Sequence, residues 1–195
     1  MSQRHIPNIL TFLRIGLIPI FIYLLFAHVP HGKLLALAVF VIASITDAYD
    51  GRIARKYGFV TKLGIFLDPL ADKFLVLSAF ICFWFFGEVK LWMLLLIGFR
   101  DILVTGLRMI MQYKGLTMIT SKVGKLKTIL QISVIIVILL FFVMKSYNLT
   151  ELIWLFQSYP IIYSLMVATT LVTAYTGFHY FYFNFKTLKM LFMSK

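Results

Sequence analysis

Negative charge is scarce in this sequence: seven Asp and Glu stand against 19 Lys and Arg, for a formal net charge of +12. Cysteine is scarcer still. The single Cys82 excludes an internal disulfide, and its setting in LSAFICFWFF makes it a packing or lipid-facing side chain rather than a catalytic thiol. There is no internal repeat and no low-complexity segment, and the polar breaks VPHGK, KYGFVTK, GEVK, YKGLTMITSKVGK and KSYNLTE include no long linker. One domain over residues 1–195 is therefore expected. The opening stretch MSQRHIPNILTFLRIGLIPIFIYLLFA lacks a small-residue cleavage pattern and carries Arg14 and Pro19, so it reads as a retained first helix and not as a signal peptide.

What the chain has in abundance is apolar residues, 62% of the total, where soluble domains hold about 45–50%. This predicts an all-α integral membrane protein. Apolar runs at roughly 7–28, 33–57, 61–87, 90–113, 123–146 and 157–187 predict six transmembrane helices, each crossing needing about 20 residues. An even number of crossings puts both termini on one side. Arg4, Arg52, Arg55, Lys56, Lys62, Lys114, Lys122, Lys125, Lys127, Lys186, Lys189 and Lys195 fall on that side, and only Lys33, Lys90 and Lys145 on the other. The positive-inside rule then places both termini in the cytoplasm of a multi-pass protein of the cell membrane. Strong basicity can mark a nucleic-acid partner, but loop orientation and attraction to anionic membrane lipids account for it here, and no nucleic acid is expected.

Four basic residues, Arg14, Lys73, Arg100 and Arg108, fall inside predicted helices, where a charge costs at least roughly 2.5–3.5 kcal/mol and needs a partner. The acidic residues answer this. Glu88 and Glu151 lie in predicted outer loops, whereas Asp47, Asp50, Asp68, Asp72 and Asp101 lie at helix ends in the cytoplasmic half. In SITDAYDGRIAR, helical spacing gathers Asp47, Asp50, Gly51 and Ala54 on about one-third of the circumference. Asp68 and Asp72 are one turn apart on the next helix, with Gly64 one turn earlier. A short connection makes the two helices antiparallel neighbours whose acidic stripes can face each other.

Four carboxylates in a half-buried cleft repel one another unless positive charge intervenes. Two divalent cations balance them, and an all-oxygen ligand set without His or Cys suits Mg²⁺ or Mn²⁺ rather than zinc. Paired hard cations clamp a phosphoryl group during displacement. Gly51 and Ala54 then leave space for a phosphorylated ligand, and Arg55 supplies a phosphate contact. The competing reading, carboxylates as helix caps or salt-bridge partners, explains one or two of the four but not the whole pattern.

The pattern Asp47-x2-Asp50-Gly51-x2-Ala54-Arg55 followed by Gly64-x3-Asp68-x3-Asp72 resembles the signature of the CDP-alcohol phosphotransferase family at every fixed position. The resemblance implies six spanning helices, a homodimer, and a polar, metal-containing cleft open to the cytoplasmic side. It implies that Asp47, Asp50, Asp68 and Asp72 bind two Mg²⁺ or Mn²⁺ ions, with Asp72 also the catalytic base. Thr46, Gly51, Ala54, Arg55 and Gly64 would line the nucleotide diphosphate. Three further stretches, Ile6-Pro7-Asn8-Ile9-Leu10-Thr11-x2-Arg14, Arg100-Asp101-x6-Arg108 and Ser121-Lys122-x-Gly124-Lys125-x-Lys127-Thr128-x2-Gln131, resemble those members whose acceptor is glycerol 3-phosphate. Nothing diagnostic follows residue 145 or so.

The implied reaction is attack by the 1-hydroxyl of sn-glycerol 3-phosphate on the β-phosphorus of CDP-diacylglycerol, releasing CMP. No Ser-His or Cys-His pair is apparent near the acidic cleft, so direct displacement is expected. Arg108, Lys122, Lys125, Lys127, Arg100 and Arg14 are the candidates for the acceptor phosphate. For each lysine, ordinary positive-inside anchoring is an equal alternative, and Arg100-Asp101 reads equally as an internal salt bridge orienting the fourth helix. A sibling with inositol phosphate, serine or phosphatidylglycerol as acceptor remains open. An ion-coupled transporter also remains, although midplane carboxylates and internal repeats would be expected of one.

Overall fold

The computed structural model describes residues 6–57, 62–114, 122–185 and 187–189. Among the described residues seven helices form: α1 (Ile6–Phe26), α2 (Gly32–Tyr57), α3 (Lys62–Phe85), α4 (Leu91–Tyr113), α5 (Lys122–Ser146), α6 (Thr150–Ser158) and α7 (Ile161–Phe183). No strand occurs among the described residues. The side chains of residues 6–11, 47–57, 62–70, Asp72, Gln112, Lys122, Val123 and Lys125 lie outside those described.

Packing arranges six of the helices in a closed circuit: α1 rests on α2 and α3, α2 on α5, α5 on α7, α7 on α4, and α4 on α3. The continuous core runs through this circuit, with Phe21, Phe40, Phe80, Phe83, Met93, Ile97, Ile135, Ile138 and Leu139 fully buried. Large apolar side chains also cover the outside, among them Leu95, Phe99 and Ile102 along one stripe of α4. A surface of that kind suits a lipid solvent. Among the described residues, Leu126–Ser146 and Ile161–Phe183 are long and apolar enough to cross a membrane, and Phe12–Phe26, Gly32–Thr46 and Lys73–Phe85 are shorter apolar helices.

Two helix ends are closed by the same device. After α3, Gly87 takes φ +80° while its N–H bonds the Trp84 carbonyl at 2.9 Å and the Glu88 N–H bonds Phe83 at 3.0 Å. After α5, Asn148 takes φ +53° with bonds from Asn148 to Lys145 at 3.3 Å and from Leu149 to Met144 at 3.1 Å. These are Schellman ends, in which a left-handed residue lets two N–H groups satisfy the last carbonyls. Both caps lie at the same end of the bundle, because α3 and α5 run in the same sense.

The last third departs from the sequence expectation. A single helix over 157–187 was predicted; instead α6 forms from the KSYNLTE break onward and α7 begins at Ile161. The cause is Pro160, which has no N–H to continue a helix and disfavours helical backbone in the residue before it. Tyr159 accordingly sits at φ −108°, ψ 128°. Helix α6 packs on α5 by stacking Phe156 on Phe141, with ring centroids 5.3 Å apart, and buries no residue fully.

Candidate active site

Alternation of helix direction brings the predicted site residues to one end. The C-terminal half of α2 carries Asp47, Asp50, Gly51, Ala54 and Arg55, and the N-terminal half of α3 carries Gly64, Asp68 and Asp72. Both stretches are helical, as the one-turn spacing of their carboxylates requires. The side chains of the four Asp residues, Arg55, Lys122 and Lys125 lie outside the described residues. Thr46, the last described side chain before the motif, is exposed and donates its hydroxyl to the Ile42 carbonyl at 2.7 Å. Arg14 is buried on α1.

At the same end, α4, α5 and α7 enclose a polar cluster. Asp101, fully buried on α4, is its centre. It accepts hydrogen bonds from Lys127 on α5, from Gln131 Nε2 at 3.2 Å, one turn further along α5, and from Arg100 Nη1 at 3.3 Å. The Lys127 ammonium is itself almost wholly buried. The lysine read as an acceptor-phosphate ligand thus has a carboxylate partner in the structure, and the internal salt-bridge reading of Asp101 gains two donors beyond its neighbour Arg100. A buried carboxylate is tolerable only when its oxygens are satisfied this fully.

Lys73, one residue after Asp72, is close enough to act electrostatically on both Asp101 and Lys127. Arg100 has its Nη1 on Asp101, and its Nε has no partner among the described residues. Arg108, two turns further along α4, is exposed. Gly177 makes the α4–α7 contact close, since a Cβ there would stand 3.1 Å from Arg100 Cγ.

The contribution of α7 was not read from the sequence. Thr169, Thr170, Thr173, Thr176, Gly177 and Tyr180 are all buried, at three- and four-residue intervals on one face. Thr170 and Thr176 return their hydroxyls to the backbone, to Met166 at 2.7 Å and Thr173 at 2.8 Å. Small and self-satisfied polar residues let membrane helices approach closely. The signal was present as the helical spacing of Thr in ATTLVTAYTGFHY.

Four aspartates carried on α2 and α3, with basic residues on α4 and α5, are groups suited to binding a phosphorylated ligand and stabilising charge on it. Residues 4–175 match the family model described as CDP-alcohol phosphatidyltransferase, and the chain belongs to that family. It is 36% identical over 95% of its length to the CDP-diacylglycerol–glycerol-3-phosphate 3-phosphatidyltransferase of Bacillus subtilis, of which 97% is covered. It is 39% identical to the protein of the same name from Rickettsia bellii, over 71% of this chain and 76% of that one. A probable phosphatidylglycerophosphate synthase of Mycobacterium tuberculosis is 41% identical over 65% of this chain and 62% of its own. The family is in general dependent on a divalent metal. The donor set fits: α2 and α3 bring four carboxylates and no His or Cys within the motif, which is hard-cation chemistry. Among the described residues no group of three or more His, Cys, Asp or Glu forms an alternative centre.

Proposed function

We propose that this chain transfers the phosphatidyl group of CDP-diacylglycerol to sn-glycerol 3-phosphate, giving phosphatidylglycerolphosphate and CMP. The observation that carries the reading is the similarity to the Bacillus subtilis enzyme along nearly the whole of both chains. The intact motif Asp47 to Asp72 supports it. Six of the helices span the membrane in this reading, with the carboxylate end and both termini at the cytoplasmic face of the cell membrane, and the chain works as a homodimer among membrane lipids.

Asp47, Asp50, Asp68 and Asp72 hold two Mg²⁺ or Mn²⁺ ions, which when bound neutralise charge on the diphosphate and on departing CMP. Thr46, Gly51, Ala54, Arg55 and Gly64 line the nucleotide diphosphate. Arg108, Arg100 and Arg14 receive the acceptor phosphate together with Lys122, Lys125 and Lys127, and Lys127 does so from its seat on Asp101. Asp72 takes the proton of the acceptor 1-hydroxyl as its oxygen bonds to the β-phosphorus. The bond from that phosphorus to the bridging oxygen breaks, and CMP leaves with the electron pair. No covalent enzyme intermediate is formed.

The test is CMP release from CDP-diacylglycerol by the purified protein with Mg²⁺, acceptor by acceptor. Release that requires glycerol 3-phosphate is expected. Release with inositol phosphate, serine or phosphatidylglycerol instead would assign a sibling acceptor, and no release with any alcohol, accompanied by ion flux in vesicles, would make the chain a transporter.

A further inference from the structure

The two oxygens of Asp101 are used differently. Oδ1 accepts from the Lys127 ammonium and, at 3.3 Å, from Arg100 Nη1, whereas Oδ2 accepts from Gln131 Nε2 at 3.2 Å. Two donors that share one oxygen stand within about 6 Å of each other. A cation of α5 and a cation of α4 are thereby brought to one place, with the carboxylate offsetting their mutual repulsion. Helices α4 and α5 are separated in the packing circuit, each resting on α3 and α7. Side-chain bonds, rather than close backbone packing, therefore bring these two cations together.

Gln131 decides how that carboxylate is turned. It is fully buried and lies one turn beyond Lys127 on α5, so both side chains reach Asp101 from one face of the helix. Only the nitrogen end of its amide can donate to a carboxylate. The amide is oriented in this way even though its Oε1 is left buried without a partner among the described residues. Without the Gln131 donor, Oδ2 would be the unsatisfied oxygen of a buried carboxylate, and Lys127 or Arg100 would move over to it and part the pair. Each cation has more donors than its bond to Oδ1 uses, an ammonium carrying three and a guanidinium five. Arg100 Nε has no partner among the described residues, and the Arg100 side chain is 12% exposed, so the pair is not sealed from a ligand.

We propose that Gln131 is a positioning residue for the acceptor: by occupying Asp101 Oδ2 it keeps the Lys127 ammonium and the Arg100 guanidinium together on Oδ1, a preformed cation pair for the phosphate of glycerol 3-phosphate. The role rests on the acceptor reading of Lys127 and Arg100 given above. Gln131 itself touches no substrate and acts through Asp101.

Steady-state kinetics of the full chain in mixed micelles test it, with glycerol 3-phosphate and CDP-diacylglycerol varied in turn, for wild type, Gln131→Met, Lys127→Gln and the double variant. Gln131→Met removes the donor and keeps a side chain of similar length. It is expected to raise KM for glycerol 3-phosphate about fivefold to tenfold. The KM for CDP-diacylglycerol should stay within about twofold. Joined to Lys127→Gln, it should raise KM by a smaller factor than it does alone, because the pair it holds is already broken. The control is Thr173→Val on α7, which also removes a buried polar atom without a partner among the described residues; every constant should stay within about twofold of wild type. An equal rise in the control would mark general loosening of the bundle and overturn the role, as would effects that simply multiply in the double variant. A KM for glycerol 3-phosphate that rises in Lys127→Gln but not in Gln131→Met would overturn the positioning role and leave the acceptor site standing. No rise in Lys127→Gln would overturn the acceptor reading of that residue and this proposal with it. A loss in kcat without a KM change would make Gln131 structural only. A wild type that releases CMP without any need for glycerol 3-phosphate would instead remove the reading of the function itself. Should Gln131→Met not fold, Gln131→Asn keeps the amide and withdraws it by one methylene: a raised KM for glycerol 3-phosphate alone supports the role, and an unchanged one overturns it.

Discussion

The two ends of the bundle each hold an ion pair joining α5 to a neighbour, and the pairs differ in every respect that matters energetically. At the carboxylate end, Asp101 and Lys127 are buried, with side chains 0% and 5% exposed. At the far end, Glu88 and Lys145 meet at 2.8 Å with side chains 20% and 42% exposed. The far pair crowns a contact already made by other means, since Phe26 stacks on Phe86 at 4.8 Å and Phe86 meets Phe142 at 5.0 Å. Lys145 also lies 4.3 Å from the Phe141 ring centroid. Apolar contact closes that end and charge decorates it. At the carboxylate end charge occupies the interior, where its desolvation has to be offset by the hydrogen bonds that Asp101 accepts. Apolar contact thus holds the far end, and paired charge fills the interior at the carboxylate end.

Substitutions at four positions sharpen this contrast. The largest effect is expected at the carboxylate end: Asp72→Asn removes the proposed base and a metal ligand, and should lower the rate of CMP release by about 10²–10⁴-fold or more while the helical content by circular dichroism is unchanged. Next is Asp101→Ala, which strands Lys127 as a buried charge without its counterion. A loss of about 3–5 kcal/mol is expected on chemical denaturation in detergent.

At the far end the effects are smaller and confined to stability. Asn148→Ala places a methyl side chain at a left-handed position, φ +53°, that Asn tolerates better, and should cost about 1 kcal/mol, while Asn148→Gly is neutral or stabilising. Smallest is Lys145→Gln, which breaks the exposed pair with Glu88 for about 0–1 kcal/mol and leaves turnover unchanged. Turnover that fell with Lys145→Gln as it does with Asp72→Asn would erase the distinction between the ends.

The parts of the fold written in local pattern were legible in the sequence. Apolar runs located α1 to α5 to within a few residues, because each contains an apolar run bounded by polar breaks. The α6–α7 break was missed because TELIWLFQS is only nine residues long and its polarity blends with the loop before it. Pro160 was the available sign. The polar cluster was half legible: Arg100 and Asp101 are adjacent, but the Lys127 and Gln131 donors lie 26 and 30 residues away and meet Asp101 only through the packing of helices. The Thr face of α7 passed unread because Thr registers as neither apolar nor charged. Tyr180 was hidden for the opposite reason, as one aromatic among many, and only burial separates it from Tyr182. The carboxylate motif is the converse case. Its residue types and one-turn spacing carry the proposed hard-cation and phosphate chemistry, and α2 and α3 supply the helices that the spacing requires.

The most direct test of that chemistry is the incorporation of radiolabelled glycerol 3-phosphate into lipid, measured side by side for wild type, Asp72→Asn and Lys145→Gln in vesicles containing CDP-diacylglycerol and Mg²⁺. Label should enter the lipid fraction with wild type and Lys145→Gln at equal rates, with matching CMP release, and not with Asp72→Asn. Undiminished incorporation by Asp72→Asn, or none by wild type, would contradict the account.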